Sequence, residues 1–259
     1  MLNRQPIGLF DSGIGGTSIW SEIHTLLPYE NTIYLADSRY APYGQRSKEE
    51  IVKLCFKNID LLIERGCKLI VVACNTATTN AINEIRTHYS IPVIGIEPAI
   101  KPAALLTKNA KVGILATKGT ITSTLFASKV KSYTNLTIHE QIGHNLVQLI
   151  ESGQIDSPEM IVLLKSYLNP MVEQGIDTLV LGCTHYPYLK PIIETLIPDT
   201  VRIIDSGKAV AKQTQRILTE AGLLSDATTL GTSTFYTNGD PNILKAFTPV
   251  NSTVAFLDF

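Results

Sequence analysis

Residues 69–78 read Leu-Ile-Val-Val-Ala-Cys-Asn-Thr-Ala-Thr, an apolar run followed by a cysteine and small polar residues. The run Leu69–Ala73 shows no polar alternation, which is typical of a strand buried on both faces of a parallel sheet. Helical spacing follows over Ala77–His88, so the sequence predicts a strand that leads through Cys74 into a helix. Open α/β sheets bind ligands at the carboxyl ends of their strands, so Cys74 lies at a candidate site.

The same alternation of strand and helix continues along the chain. Six further apolar runs of four residues are Ile7–Phe10, Thr32–Leu35, Val93–Ile96, Val112–Leu115, Thr178–Leu181 and Val201–Ile204. Helical spacing lies between such runs, for example at Lys48–Arg65, Asn145–Glu151, Glu159–Gln174 and Ala209–Ala221. This alternation predicts an α/β fold of mostly parallel sheets flanked by helices.

A weak internal repeat divides the chain into two halves. Pro6–Gly16 and Lys111–Thr122 both read as an apolar strand, a Gly/Ser/Thr loop and a helix. Cys183 repeats the context of Cys74 after 109 positions, because it also ends a strand and precedes polar residues. We therefore expect two similar α/β domains with the active site in the cleft between them. The expected domains are residues 1–97 together with 207–259, and residues 98–206.

Composition excludes several classes of protein. The chain has 259 residues, 44% of them hydrophobic and 17% charged, with a formal net charge of −1. This balance excludes wholesale disorder, and the lack of a basic block disfavours direct nucleic-acid binding. The opening residues are unlike a signal peptide, and no run reaches the ~18 apolar residues of a membrane span. We expect a cytoplasmic protein that does not contact membranes and whose cysteines are reduced.

Two of the four cysteines are candidate catalytic groups. Cys55 and Cys67 lie in or beside a helical stretch among apolar neighbours, as inert buried thiols do. Cys74 and Cys183 each precede polar residues and a helix, whose N-terminal amides are expected to lower the thiol pKa. The chain has no Cys-x-x-Cys pair and no zinc-ligand spacing, so we predict neither a metal site nor a thioredoxin-type site.

A glycine-rich loop, Asp-Ser-Gly-Ile-Gly-Gly at 11–16, also follows a strand and precedes a helix. Its backbone amides suit a phosphate or a carboxylate, and a tight strand-to-helix turn is the alternative. The loop matches neither Gly-x-Gly-x-x-Gly nor a P-loop, which disfavours a nucleotide.

Two opposed thiols in a cleft suit the racemisation of an amino acid. One group removes the α-proton while the other returns a proton on the opposite face. The enolate charge that develops has to be stabilised by amides and hydroxyls around the substrate carboxylate. Suitable polar residues are Asn75 and Thr76, Thr184 and His185, and Asp11 and Ser12.

Four segments carry a family resemblance: Asp-Ser-Gly-Ile-Gly-Gly (11–16), Ala-Asp-Ser-Arg-Tyr-Ala-Pro-Tyr-Gly (36–44), Ala-Cys-Asn-Thr-Ala-Thr (73–78) and Gly-Cys-Thr-His-Tyr-Pro (182–187). Together, and over almost the whole chain, they resemble the glutamate racemases of the cofactor-independent aspartate/glutamate racemase family. The resemblance implies interconversion of L- and D-glutamate without pyridoxal phosphate, metal or any other cofactor. It also implies that D-glutamate is supplied for bacterial peptidoglycan synthesis.

The resemblance also implies roles for individual residues. Cys74 and Cys183 match the family's acid–base cysteines, which act on D- and L-glutamate respectively. The matching substrate-binding residues are Asp11, Ser12, Tyr43, Gly44, Asn75, Thr76, Thr184 and His185, of which Asp11 and His185 also match partners of the thiols. Further matches near the site are the carboxylates Asp37 and Glu151 and the loop residues Thr117 and Thr120. Because family members are often dimers, we expect a homodimer.

The chain departs from the family at Gly143-His144, where members usually carry Cys-Pro. This departure bears on the shape of the cleft and on the role of Glu151, and it leaves both cysteines untouched. Three alternatives to a glutamate racemase stay open. They are a relative acting on aspartate or another acid, a non-catalytic binding protein, and a redox enzyme that closes a disulfide between Cys74 and Cys183, with Cα atoms within ~7 Å.

Overall fold

The computed structural model describes residues 3–250 and 252–259. The strands within these residues are β1 (Ile7–Asp11), β2 (Thr32–Ala36), β3 (Leu69–Val72), β4 (Val93–Gly95), β5 (Lys111–Ala116), β6 (Thr137–Ile142), β7 (Thr178–Gly182), β8 (Arg202–Ile204), β9 (Ser233–Thr237) and β10 (Thr253–Phe256). They form a six-stranded sheet of order β10-β9-β2-β1-β3-β4 and a four-stranded sheet of order β6-β5-β7-β8.

Every strand pairing in the described residues is parallel. In the first sheet, for example, Ile7 lies opposite Thr32 on one side and Leu69 on the other. Parallel pairing places the carboxyl ends of all strands of a sheet at one edge. The predicted α/β fold with two parallel sheets flanked by helices is confirmed.

The helices of the described part are α1 (Thr17–Leu26), α2 (Lys48–Glu64), α3 (Asn75–His88), α4 (Ile100–Leu106), α5 (Lys118–Ile121), α6 (Thr124–Lys131), α7 (Leu146–Glu151), α8 (Pro158–Glu173), α9 (Lys190–Leu196), α10 (Gly207–Glu220) and α11 (Pro241–Lys245). Helix α2 begins at a capping box, in which Ser47 and Glu50 each accept from the other's backbone N–H. Helix α3 begins at Asn75, directly after Cys74 and two residues before its predicted start at Ala77, and it ends at His88 as predicted. No helix in residues 3–250 and 252–259 is long and apolar enough to cross a membrane.

The central strands are fully buried, which explains their continuous apolar runs. Every residue of β1, β3 and β7 is buried. The largest buried apolar cluster contains Leu9 of the first sheet together with Leu115 and Leu181 of the second, so the two sheets share packing. The first sheet takes its strands from 7–95 and 233–256, and the second from 111–204. The boundaries expected at 97/98 and 206/207 stay a prediction.

Three strands, β6, β9 and β10, were not predicted from the sequence. Strands β6 and β10 lie at the edges of their sheets, and their residues are exposed or half-buried. Strand β9 reads Ser-Thr-Phe-Tyr-Thr and is only partly buried. These three strands keep polar side chains toward their open sides, so they lack the apolar run that marks the central strands, whereas the edge strands β4 and β8 keep such a run.

A buried ion pair lies at the amino ends of the strands, on the side opposite the cysteines. Lys68 Nζ is 2.6 Å from Glu30 Oε2, and the two side chains are 1% and 2% exposed. The N–H of Ser225 donates to Glu30 Oε1 at 2.7 Å. The pair therefore ties the starts of β2 and β3 to the segment that follows α10.

Candidate active site

A small cavity lies at the carboxyl ends of both sheets and is lined by Cys74 and Cys183. Its remaining lining residues are Ser12, Pro42, Tyr43, Gly44, Asn75, Thr76, Thr117, Val147, Thr184 and His185. All the predicted catalytic and substrate-binding residues line it except Asp11, which is fully buried. A neighbouring cavity shares Pro42, Gly44, Thr117 and Val147, and His144 and Asn145 line its other parts.

Cys74 connects β3 to α3, and its Sγ accepts from the N–H of Ala77 at 3.5 Å. The sulfur lies 3.8 Å from Ser12 Oγ. Burial raises the pKa of the Cys74 thiol well above its usual value, and the neighbouring Asp11 raises it further. The expected lowering of the Cys74 pKa is therefore wrong, because the loss of solvation outweighs one helix-terminal amide. The Cys74 thiol is protonated at neutral pH.

Asp11 lies at the end of β1 and is fully buried. Its Oδ2 accepts from the N–H of Gly16 at 2.9 Å, and its Oδ1 has no hydrogen-bond partner in the described part of the chain. Burial raises the pKa of Asp11, while the nearby His185 opposes this rise. A buried carboxyl group with a free oxygen beside a thiol is suited to exchanging a proton with it.

Cys183 follows β7 and faces His185 across 3.7 Å between Sγ and Nδ1. The other ring nitrogen, Nε2, is 2.6 Å from Glu151 Oε1. Burial opposes a charge on His185, but the hydrogen bonds with Cys183 and Glu151 outweigh it and raise the His185 pKa well above its usual value. His185 is therefore protonated at neutral pH, and its positive charge stabilises negative charge on the Cys183 sulfur.

The amides of the glycine-rich loop bind carboxylates of the chain itself. The N–H of Ile14 donates to Glu151 Oε1 at 2.7 Å, and the N–H of Gly16 donates to Asp11. The loop thus binds anionic groups, as its sequence suggests, but the N–H groups of Ile14 and Gly16 already donate to Glu151 and Asp11. The residue of this loop that lines the cavity is Ser12.

Gly13 and Gly15 give the Glu151–His185 pair the room that it occupies. A Cβ atom at Gly13 would lie 1.9 Å from Glu151 Oε1, and one at Gly15 would lie 2.2 Å from His185 Nδ1. Real Cβ contacts are not this short, so a side chain at either position has to displace the pair. Glycine is required at positions 13 and 15 because the side chains of Glu151 and His185 lie close to the backbone there.

The Tyr43 hydroxyl donates to the fully buried Asp37 at 2.5 Å. Asp37 also accepts hydrogen bonds from Lys57 Nζ, Asn58 Nδ2 and Asn238 Nδ2. Asp37 does not line the cavity. Its position instead anchors the segment that carries Tyr43 into the cavity wall.

Hydroxyl groups join the two halves on the Cys74 side of the cavity. Thr76 Oγ1 and Thr117 Oγ1 are 2.8 Å apart, and Thr117 Oγ1 is 3.0 Å from Thr120 Oγ1. Asn80 Nδ2 donates to the carbonyl of Gly119 at 2.9 Å. Helix α3 of the first sheet is thereby attached to the loop that follows β5 of the second.

Gly143 is a position where the chain departs from the family that it resembles, and Tyr186 occupies the adjacent space. A Cβ atom at Gly143 would lie 2.3 Å from Tyr186 Oη. The Tyr186 hydroxyl donates to the Gly143 carbonyl at 3.2 Å. A cysteine at this position would have to displace Tyr186, so the departure changes local packing next to the cavity and leaves Glu151 bound to His185.

The positions of the cysteines and of the other side chains that can bind metals bear on metal binding and on disulfide formation. Within the described ranges 3–250 and 252–259, no group of three or more His, Cys, Asp or Glu side chains is placed to hold a metal ion. All four cysteines are free thiols.

The profile described as "Asp/Glu/Hydantoin racemase" matches residues 17–214 of the chain. The chain belongs to the Asp/Glu/hydantoin racemase family. Among the relatives of this chain, the glutamate racemase of Herpetosiphon aurantiacus is 45% identical to it over 241 residues, which cover 93% of this chain and 95% of that protein.

Two solved structures extend this family likeness to the fold. Glutamate racemase of Bacillus anthracis matches with a TM-score of 0.89 and 33% identity, covering 99% of this chain and 98% of that one. Glutamate racemase of Escherichia coli, solved with L-glutamate and the activator UDP-MurNAc-ala, matches with a TM-score of 0.85 and 33% identity over 98% of each chain.

Some residues of the cavity were missed by sequence reasoning. Pro42 and Val147 line the cavity, yet neither carries a polar or titratable group that would mark it. Glu151 was matched only as a further carboxylate, whereas the structure makes it the direct partner of His185. In the sequence, this contact is indicated by Gly13, whose lack of a side chain leaves space for the Glu151 carboxylate.

Proposed function

We propose that this protein is a glutamate racemase that interconverts L- and D-glutamate through Cys74 and Cys183, without a cofactor. The observation that carries the proposal is the presence of both thiols on one cavity, one from each sheet. The choice of substrate is supported by glutamate racemases at 42% and 45% identity and by the relative solved with L-glutamate.

In the L-to-D direction, the Cys183 thiolate takes the α-proton of L-glutamate and becomes a thiol. The electron pair of the broken C–H bond is delocalised into the substrate carboxylate as an enolate-like carbanion. The Cys74 thiol then gives its proton to the opposite face of the α-carbon, which forms D-glutamate and leaves a Cys74 thiolate. The reverse reaction uses the same two groups with their roles exchanged.

The electrostatics favour this starting state. Burial and Asp11 raise the pKa of Cys74, so this thiol holds the proton that the product needs. A protonated His185 stabilises negative charge on Cys183, which is the base in this direction. After turnover, Cys183 carries the proton taken from the substrate and Cys74 is a thiolate, so the starting state returns when Cys183 releases one proton and Cys74 takes up one, either in a reverse turnover or by exchange with solvent.

The substrate carboxylates are proposed to bind donors that the protein leaves free. Asn75 Nδ2 is buried, lines the cavity and has no hydrogen-bond partner among the residues that the structure describes. Ser12, Thr76 and Thr184 add hydroxyl groups, and the Tyr43–Gly44 segment adds backbone amides. Fixed donors of this kind stabilise the developing enolate, and loss of one such donor typically costs about 10²–10³ in kcat.

The test is proton NMR and circular dichroism of the purified protein with L-glutamate in D₂O, without added cofactor. We expect loss of the α-proton signal together with loss of optical activity. No change with glutamate, but a change with aspartate, would contradict the proposed substrate while retaining the chemistry. No change with any amino acid would contradict the enzyme itself.

Cysteine variants test the assignment of the two acid–base groups. Cys74→Ser and Cys183→Ser are each expected to abolish racemisation, because each face of the α-carbon needs its own group. Cys67→Ser is the matched control, since Cys67 is a buried thiol whose pKa burial raises to about 12 and which does not line the cavity. Full turnover in either site variant would refute the two-thiol mechanism.

We further infer that the D-glutamate formed supplies peptidoglycan synthesis and that the enzyme is a homodimer. The relative solved with a cell-wall precursor as activator supports the first inference. Expression in a bacterium that requires D-glutamate should restore growth without it, while Cys74→Ser should not. Light scattering in solution tests the dimer.

A further inference from the structure

Tyr188 lies three residues after His185 and reaches back to the glycine-rich loop. It belongs to the short 3₁₀ turn Tyr186–Leu189, and its Oη lies 2.5 Å from Thr17 Oγ1. Thr17 is buried at the start of α1. Neither residue lines the cavity or takes part in the mechanism above.

The direction of this hydrogen bond follows from the number of donors. The Thr17 hydroxyl also lies 2.6 Å from the carbonyl of Ile14, to which it donates. A hydroxyl group has a single proton, so Thr17 has none left for Tyr188. The Tyr188 hydroxyl is therefore the donor to Thr17, and Thr17 is the donor to Ile14.

The Ile14–Gly15 peptide, whose carbonyl oxygen accepts from Thr17, contacts both Glu151 and His185. The N–H of Ile14 donates to Glu151 at 2.7 Å. The next residue, Gly15, lies against the ring of His185. Ser18 Oγ lies 2.8 Å from the carbonyl oxygens of both Gly15 and Thr184, and its single proton is shared between these two acceptors, which joins the same loop to the segment that carries Cys183.

We propose that Tyr188 is a positioning residue for the Cys183 half of the reaction. Through Thr17 it fixes the Ile14–Gly15 backbone against Glu151 and the His185 ring, and the ring in turn faces the Cys183 sulfur. The inference rests on the proposed racemase function and adds a group that acts through others. The same loop also reaches Cys74 through Ser12 and through Asp11, which accepts from Gly16. Tyr188 and Thr17 act on the loop at Ile14, however, whose N–H donates to Glu151, so the effect falls mainly on proton transfer at Cys183.

Tyr188→Phe isolates the hydroxyl group. The Tyr188 ring packs edge-on against Phe247, with centroids 4.8 Å apart, and phenylalanine keeps this contact. A hydrogen bond contributes about 1 kcal/mol net, so we expect kcat to fall about five- to tenfold, while KM stays within about twofold.

Deuterium isotope effects measured in both directions separate positioning from a general structural effect. With L-glutamate deuterated at Cα, the isotope effect on kcat/KM should rise in Tyr188→Phe, because proton removal by Cys183 becomes more rate-limiting. With D-glutamate deuterated at Cα, the isotope effect on kcat/KM should fall in Tyr188→Phe, because proton removal by Cys74 becomes less rate-limiting. A merely structural loss would move both isotope effects together or neither.

Variants of Thr17 complete the test. Thr17→Val should reproduce the Tyr188→Phe changes, and the double variant should show no further loss, whereas Thr17→Ser keeps the hydroxyl and should retain wild-type rates. Tyr89→Phe is the control, since its hydroxyl bonds Asp60 at 2.7 Å away from the cavity. Wild-type kcat and isotope effects in Tyr188→Phe would overturn the positioning role alone. An inactive wild-type protein would overturn both it and the racemase function.

Discussion

Gly15→Ala is expected to disable catalysis while leaving the fold intact. The added Cβ would lie 2.2 Å from His185 Nδ1 and 2.6 Å from its Cγ and Cε1. The ring has to retreat by about 1 Å to reach an ordinary contact distance. The His185 side chain is only 2% exposed, so its retreat changes the distances to both Cys183 and Glu151. Misplacement by about 1 Å costs up to about 10²-fold in rate, and we expect a fall in kcat of that order.

The assay is the initial rate of loss of optical activity with L-glutamate, together with urea unfolding of the same preparation. Gly15→Ala should lose about 1–3 kcal/mol of stability through overpacking. Gly66→Ala is the matched control, because Gly66 has a φ of +77° and no atom within 4 Å of the added Cβ. It should lose about 1–2 kcal/mol through backbone strain and keep its kcat. A Gly15→Ala enzyme with kcat within about threefold of the wild type would refute the reasoning from close approach.

Three further predictions test other parts of the structure. In Glu151→Gln, a carboxylate that raises the His185 pKa is gone, so this pKa should fall. The alkaline limb of the pH profile of kcat/KM should therefore move to lower pH. An alkaline limb at the wild-type pH would contradict the assignment of Glu151 as the partner of His185. Lys68→Met leaves Glu30 buried without its cation, so urea unfolding should show a loss of about 3–5 kcal/mol with kcat unchanged. Tyr43→Phe removes a donor from Asp37, so about 1–3 kcal/mol of stability should be lost and KM should rise more than kcat falls.

The central architecture was predictable because burial on both faces leaves a clear mark on the sequence. Strands such as β1, β3 and β7 contain uninterrupted apolar residues, and the cysteines stand where such runs end. The edge strands β6 and β10 were not predictable in this way, whereas the edge strands β4 and β8 keep short apolar runs and were predicted. Thr137–Ile142 contains His139 and Glu140 because one side of the strand lacks a neighbour, and no apolar run results.

The candidate site was predictable in its membership and less so in its electrostatics. Cys74 stands at a helix N-terminus, which by itself lowers a thiol pKa, yet burial raises it. Local sequence gives the helix terminus, whereas burial depends on how the two sheets pack. Likewise, the pairing of Glu151 with His185 joins residues 34 positions apart, and only the fold brings them within 2.6 Å.

The protonated state of Cys74 also bears on covalent inhibitors. Electrophilic warheads react with the thiolate, and a thiol held in its neutral form is a weak nucleophile. Cys74 is 4% exposed, and its raised pKa keeps it neutral. An alkylating compound placed against Cys74 therefore gains little from that sulfur at neutral pH and gains more as the medium becomes alkaline. A compound that presents its warhead to the opposite face instead meets the Cys183 sulfur 3.7 Å from the His185 ring, so the two faces of the cavity offer a warhead different surroundings.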